Sequence, residues 1–185
     1  GNAPAKRDVL GTLMLGLLAG HRRYAHITAL RGDAVAAQAL GMAKVVSEDA
    51  LRRALERIDE ASSAGWMRPS LMHSVREALD RPWVLDMDAS IKPLYGRQEG
   101  AEIGYNPSKP MRPSHVLHTF WVGNLRLVLD VQVSSGKQHT SVHAKAALAR
   151  LLDELGDGPD SRRPALVRGD SGYGNEGILL TLEER

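Results

Sequence analysis

The chain has no cysteine, so no disulfide holds it together. At 185 residues it is long enough to bury a core without covalent staples. A cysteine-free composition suits a reducing cytoplasm, which is the expected location. A surplus of one charge is also missing. Lys and Arg number 24 against 22 Asp and Glu, a net charge of +2, and so composition alone does not announce nucleic acid as a partner. Long apolar runs are absent too. Residues 9–20 (VLGTLMLGLLAG) are too short to span a bilayer and carry no cleavage-site pattern. They read as a buried helix, and no membrane partner is expected. No internal repeat or low-complexity tract is visible. The length suits one domain, or one domain plus a smaller helical segment. The chain opens on glycine and stops on Glu183-Glu184-Arg185 within a helical pattern, so both ends are expected to be cut.

What is present begins with helices, from about residue 8 to residue 80. Ser47 is a good N-cap, and Glu48 and Asp49 put negative charge in the first turn, where the helix dipole favours it. Ala50, Leu51, Ala54, Leu55 and Ile58 recur at helical spacing. Residues 34–40 form a second short helix, with Gly41 at the turn. The pair has the order of a helix-turn-helix, and Arg52, Arg53 and Arg57 lie on the polar side of its second helix, where they could face a major groove. A helical hairpin with a solvated basic face fits equally, because the turn is longer than the motif usually has. Residues 62–69 (SSAGWMRP) read as a linker and residues 71–79 as a further short helix.

Two short apolar runs then end on aspartate. In Trp83-Val84-Leu85-Asp86-Met87-Asp88-Ala89-Ser90, strand alternation puts Asp86 and Asp88 on one face and Trp83, Leu85 and Met87 on the other. The second run is Ala165-Leu166-Val167-Arg168-Gly169-Asp170-Ser171-Gly172. Carboxylates at the ends of two buried strands could meet and hold a divalent ion through oxygen. An aspartate beside Gly or Ser also commonly just opens a turn.

Between them lies a tract interrupted by Pro93, Pro107, Pro110 and Pro113 and by Gly96, Gly100 and Gly104, which forbids a regular helix. Here Lys92, Arg97, Lys109 and Arg112 oppose only Glu99 and Glu102. A basic loop beside an acidic metal site suits a phosphate-bearing substrate, with Tyr95 and Tyr105 available to stack on bases. A solvated surface loop is the plainer alternative. Residues 115–122 and 125–133 are β-rich runs joined by Gly123-Asn124, a tight-hairpin signal. Leu125, Leu127, Leu129, Val131 and Val133 should share one face, leaving Asp130 solvated on the other. Ala144, Ala147, Leu148, Leu151, Leu152 and Leu155 make the apolar stripe of an amphipathic helix. A strand at 165–168 and a helix from Asn175 follow.

The order is strand, hairpin, helix, strand, helix, with aspartates ending the first and fourth strands. This is the α/β layout of a ribonuclease H-like mixed sheet with flanking helices, preceded by a helical N-terminal region. Asp86-Met87-Asp88-Ala89-Ser90, Tyr95-Gly96-Arg97-Gln98-Glu99-Gly100-Ala101, Gly104-Tyr105-Asn106-Pro107 and Arg168-Gly169-Asp170-Ser171-Gly172-Tyr173 together resemble bacterial insertion-sequence transposases of the DDE type. The resemblance covers roughly residues 45–185. It implies residues 1–80 as a helical DNA-binding region and 81–185 as the first part of the catalytic domain.

The resemblance further implies metal-dependent cleavage and strand transfer of double-stranded DNA at transposon ends, with two Mg2+ (or Mn2+) ions in the complete enzyme. It also implies a homodimer assembled on DNA. Asp88 takes the place of the first acid, directly before Ala89-Ser90, with Asp86 in reserve as a metal ligand. Asp170 takes the place of the second. Lys92, Arg97, Lys109, Arg112, Arg52 and Arg53 are the expected DNA contacts. No residue matches the third acid, because Glu176, Glu183 and Glu184 follow Asp170 too closely, and Met111 stands where the family pattern has glycine. The alternative is therefore a truncated remnant that binds DNA without cutting it. Gly169-Asp170-Ser171-Gly172 also spells the nucleophile motif of chymotrypsin-like proteases, but Tyr173-Gly174-Asn175 follow it and the N-terminal part is helical.

Overall fold

The computed structural model describes residues 3–137, 140–156 and 162–184. The chain forms two compact units, residues 1–65 and 66–185. The first contains α1 (Lys6–Leu18), a 3-10 turn (Tyr24–His26), α2 (Ile27–Leu30), α3 (Ala34–Ala39) and α4 (Glu48–Leu55). Val9, Ile27, Ala37, Met42, Val45, Val46 and Leu51 make its core. The helix α1 is buried along one face only: Val9, Gly11, Thr12 and Gly16 are inside, while Leu17 and Leu18 are exposed. A polar clamp ties α1 to the connection after α3. The Thr12 hydroxyl donates to the Asp8 carbonyl at 2.6 Å and accepts the Val46 N–H at 3.0 Å. The Asp8 carboxylate accepts the Ala43 N–H at 2.9 Å. Ser47 caps α4 by accepting the Ala50 N–H at 3.2 Å. Gly41 takes a φ of 62° at the turn, a conformation that glycine adopts without strain.

The expected linker at 62–69 is instead helix. The helix α5 runs Glu60–Val75 straight through Pro69, and the division between the two units falls within it. Pro69 forfeits one helical hydrogen bond, but Asp59 provides a strong start. Its carboxylate accepts the Ser62 N–H and the Ser62 hydroxyl, both at 2.8 Å, and this cap prevails over the breaker signals of Gly65 and Pro69. The Ser70 hydroxyl adds a bond to the Trp66 carbonyl at 2.8 Å. A 3-10 turn (Arg76–Asp80) then leads into the sheet.

That sheet is mixed, in the order β3-β2-β1-β4, built from β1 (Val84–Pro93), β2 (Ser114–Val122), β3 (Leu127–Ser135) and β4 (Leu166–Gly169). The neighbours β1/β2 and β2/β3 are antiparallel, and β1/β4 is parallel. Between β3 and β4 runs α6 (Thr140–Leu155), and α7 (Glu176–Glu183) closes the described chain. Trp83, Leu85, Met87, Phe120, Val122 and Leu129 meet Ala144, Ala147, Leu148, Leu151, Leu152 and Leu155 in one core. The unit is thus a ribonuclease H-like mixed sheet with flanking helices.

The hairpin departs from expectation in two ways. Its turn takes residues 123–126 rather than Gly123-Asn124 alone, with Arg126 at a φ of 56°. A bulge also interrupts β3: Phe120 pairs with Asp130, whereas Trp121 pairs with Val128. The inserted residue switches the alternation. Leu129 is buried before the switch and Asp130 after it, while Val133 is 53% exposed. The expectation of a solvated Asp130 is therefore overturned. It is 2% exposed, paired to Arg68 of α5 at 3.4 Å and to Arg150 of α6.

His118 is fully buried on β2. Among the described residues neither of its ring nitrogens has a hydrogen-bond partner, and its ring faces that of His143 on α6 at 6.1 Å between centroids. Its strand neighbours, Ala89 and Gln132, carry no charge, and Asp130 farther along β3 is occupied by two arginines. Burial first, and then His143, hold the His118 imidazole below its ordinary range. A histidine with a depressed folded pKa binds fewer protons than its unfolded counterpart once the pH falls below about 6.5. Stability should therefore be full above that pH and decline as pH falls below it. Urea midpoints measured across this window in the wild type and in His118→Leu should show the decline flattened in the variant. Parallel declines would assign the acid sensitivity elsewhere.

Candidate carboxylate site

Strand β1 alternates as its sequence requires. Leu85 and Met87 enter the core, so Asp86 and Asp88 occupy the opposite face. Strand β4 runs parallel beside it, with Asp86 opposite Arg168 and Met87 opposite Gly169. The next residues along the two chains are Asp88 and Asp170. Asp170 also opens a turn, its Oδ1 accepting the Gly172 N–H at 2.9 Å. At Asp170, just past the end of β4, the strand-end and turn readings are both realised, whereas Asp88 lies within β1, which runs on to Pro93, so the expectation that the first strand ends on its aspartates is overturned. Asp88 is exposed and, among the described residues, accepts only a long 3.4 Å bond from the Ser90 hydroxyl, which leaves lone pairs free. Both carboxylates act on one buried phenol. Burial raises the Tyr173 hydroxyl pKa, and the negative charges of Asp88 and Asp170 push it further up.

Asp86 is differently placed. Arg168 donates to it through Nε and through Nη2, the latter at 2.7 Å, and this hydrogen-bonded partner holds the carboxyl below its usual range. Both oxygens are engaged by a planar fork. Gly123 leaves room for the pair, because a Cβ there would collide with Asp86 Oδ2. Asp86, Asp88, Trp121, Gly123, Arg126 and Arg168 line a concavity of about 520 Å3 on this face.

Two free carboxylates can offer oxygen ligands to one hard divalent ion, with water or phosphate oxygens completing the shell. Among the described residues, no group of three or more His, Asp or Glu side chains is placed to hold a metal.

Of the expected DNA contacts, Lys92 lies on β1 and Arg97, Lys109 and Arg112 on the loop that follows, all exposed. Arg112 stacks over the Tyr95 ring at 4.6 Å. The loop is anchored: buried Asn106 accepts from the Ser108 hydroxyl and the Lys109 N–H, each at 3.0 Å, and Leu94 N–H reaches the Pro113 carbonyl at 2.9 Å. Gly104 rests directly on the Gly136 backbone, where a Cβ would clash. Met111 has a φ of 62°, which explains why glycine suits that position. Arg52 and Arg53 on α4 are both bonded to Asp49, and Arg52 also reaches Glu56 at 2.8 Å. Much of their charge is thereby compensated within the helix.

Sequence reasoning missed Arg68 and Arg150 as partners of Asp130, and Trp121, Arg126 and Arg168 as neighbours of the acids. Only the apolar-then-charged register of β4 hinted at Arg168.

Residues 5–185 match the family described as Transposase DDE domain group 1. No curated protein matches the chain. Among solved structures it is similar to the Mos1 transposase paired-end complex with left transposon end (11% identity, TM-score 0.37, covering 100% of this chain and 58% of that one). It is similar also to the mariner Mos1 paired end complex with Mg (13%, 0.35, 100% and 58%). A piggyBac transposase synaptic complex with hairpin DNA is a further likeness (16%, 0.37, 97% and 45%). The chain thus spans less than two thirds of the length of these structures.

Proposed function

The chain belongs to the transposase DDE domain family, and from that premise we propose that residues 1–185 bind double-stranded DNA without themselves completing a strand-cutting site. The observation that supports this reading is the pair Asp88 and Asp170, the first within β1 and the second just past the end of β4, each directly after the last paired residues of the two parallel strands, with no third ligand grouped with them among the described residues. Asp88 and Asp170 are the residues that would hold a divalent ion, and Asp86 stays with Arg168. When bound, such an ion would polarise a phosphodiester and favour a water or a DNA 3′-hydroxyl as nucleophile. The DNA is the end of a bacterial insertion sequence, and two copies assemble on it. Cleavage and strand transfer are the second reading, in which a third acid comes from outside these residues.

The helical residues 1–80 and the loop after β1 carry the DNA contacts in this reading. Lys109 and Arg112 have no carboxylate partner among the described residues, so their charges are free for phosphate. Lys109→Ala and Arg112→Ala should each weaken binding to every duplex about equally, and each should make the salt dependence shallower by roughly one unit of slope. Fluorescence anisotropy at several salt concentrations measures both. A change in sequence preference with the slope intact would mean that the loop reads bases, and the assignment would fail.

A further inference from the structure

Two arginines beside the carboxylates have no place in the roles above. Arg126 is exposed at the hairpin turn and has no carboxylate partner among the described residues. Arg168 commits Nε and Nη2 to Asp86, and among the described residues its Nη1, with two N–H groups, meets no acceptor. Both side chains line the same concavity as Asp88, with Trp121 as a further wall. Trp121 and Arg168 are the two register partners of Asp86, one on each neighbouring strand. They therefore form one row across the sheet face.

We propose that Arg126 and the free edge of Arg168 form a phosphate subsite that seats one phosphodiester of a DNA strand beside Asp88, with the strand running against Trp121. This rests on the DNA-binding reading above and names a contact within it. Asp86 is a positioning residue: its two oxygens hold the Arg168 guanidinium in one plane at the wall of the concavity. Asp86 also cancels most of the Arg168 charge, so Arg126 supplies the net positive charge and Arg168 the directed donors. The concavity's about 520 Å3 has room for a nucleotide unit. A guanidinium suits this task because its planar donors match phosphate oxygens.

The test uses residues 1–185 carrying Trp66→Phe, so that a change in fluorescence reports Trp121 over a constant background from buried Trp83. A single-stranded thymidine tetranucleotide, without metal, should quench the remaining fluorescence. Arg126→Ala should weaken this binding roughly fivefold and make the salt slope shallower by about 0.7. Arg168→Lys keeps the charge but loses the fork, so affinity should fall with the slope unchanged. Asp86→Asn loses one acceptor of the fork and uncovers the Arg168 charge, so its signature is a steeper slope. Arg126→Ala with unaltered quenching would overturn the subsite. So would Asp86→Asn that leaves tetranucleotide binding untouched while abolishing Mn2+ binding, since Asp86 would then be a metal ligand. Duplex binding that depends on Lys109 but not on Arg126 would sink the subsite and leave the DNA reading standing. Arg126-dependent tetranucleotide binding without any duplex binding would do the opposite.

Discussion

Asp130→Ala is expected to lower the stability of the sheet unit by about 3–5 kcal/mol, the usual cost of leaving buried charges without their partner. Asp130 is 2% exposed. It receives Arg68 at 3.4 Å, Arg150, and the Gln132 amide at 3.3 Å. Arg68 comes from α5 and Arg150 from α6, so one carboxylate pins β3 to two helices. Alanine would take this partner from both guanidiniums. Arg150 keeps Glu154 at 2.8 Å, and both arginine side chains are about 30% exposed, which places the effect toward the lower end. A loss of this size is a large fraction of the roughly 5–15 kcal/mol that holds a domain together, and it should lower the melting temperature by about 10 °C. Asp130→Asn keeps acceptor oxygen and volume and should cost less. Urea unfolding of the three proteins decides the matter. A loss under about 1 kcal/mol would mean the cluster is as weak as a solvated surface pair.

That Asp130 was expected in solvent shows where sequence reading stops. The faces of β1, the stripe of α6 and the Ser47 cap were legible because each depends on neighbours two to four residues away. The bulge in β3 is a property of pairing. Nothing within Leu127–Ser135 states that Phe120 meets Asp130 while Trp121 meets Val128, yet that shift decides which side chains are buried. The same holds at the acids. Alternation put Asp86 and Asp88 on one face, but only the parallel pairing of β1 with β4 reveals that Arg168 occupies Asp86 and that Asp170 follows beside Asp88. The helix through Pro69 was hidden for a different reason. Its breaker residues are conspicuous, whereas the Asp59 cap that outweighs them works through a single side chain. His118 carried no local signal at all, because burial of one histidine on an alternating strand is fixed by the helix that covers it.

Purified residues 1–185, given Mg2+ and transposon-end DNA, are expected to bind the DNA and leave every phosphodiester intact. In-line displacement places charge on both the entering and the leaving oxygen, and two metals neutralise both. In the proposed site, Asp88 and Asp170 would supply oxygens for one ion, with water in its other positions. Asp86 cannot join them without releasing Arg168, and no third ligand is grouped with them among the described residues. Losing one metal that gives several kcal/mol to the transition state slows the step by about three orders of magnitude for each 4 kcal/mol. A longer chain that brings a third acid to Asp88 and Asp170 should both nick and join. Denaturing gels of end-labelled DNA, run beside a binding assay on the same samples, give the measurement. Cleavage by residues 1–185 that vanishes in Asp170→Ala would show that these residues already complete the site. Glu176 and Glu183, which open and close α7, would then be the first candidates for the third ligand.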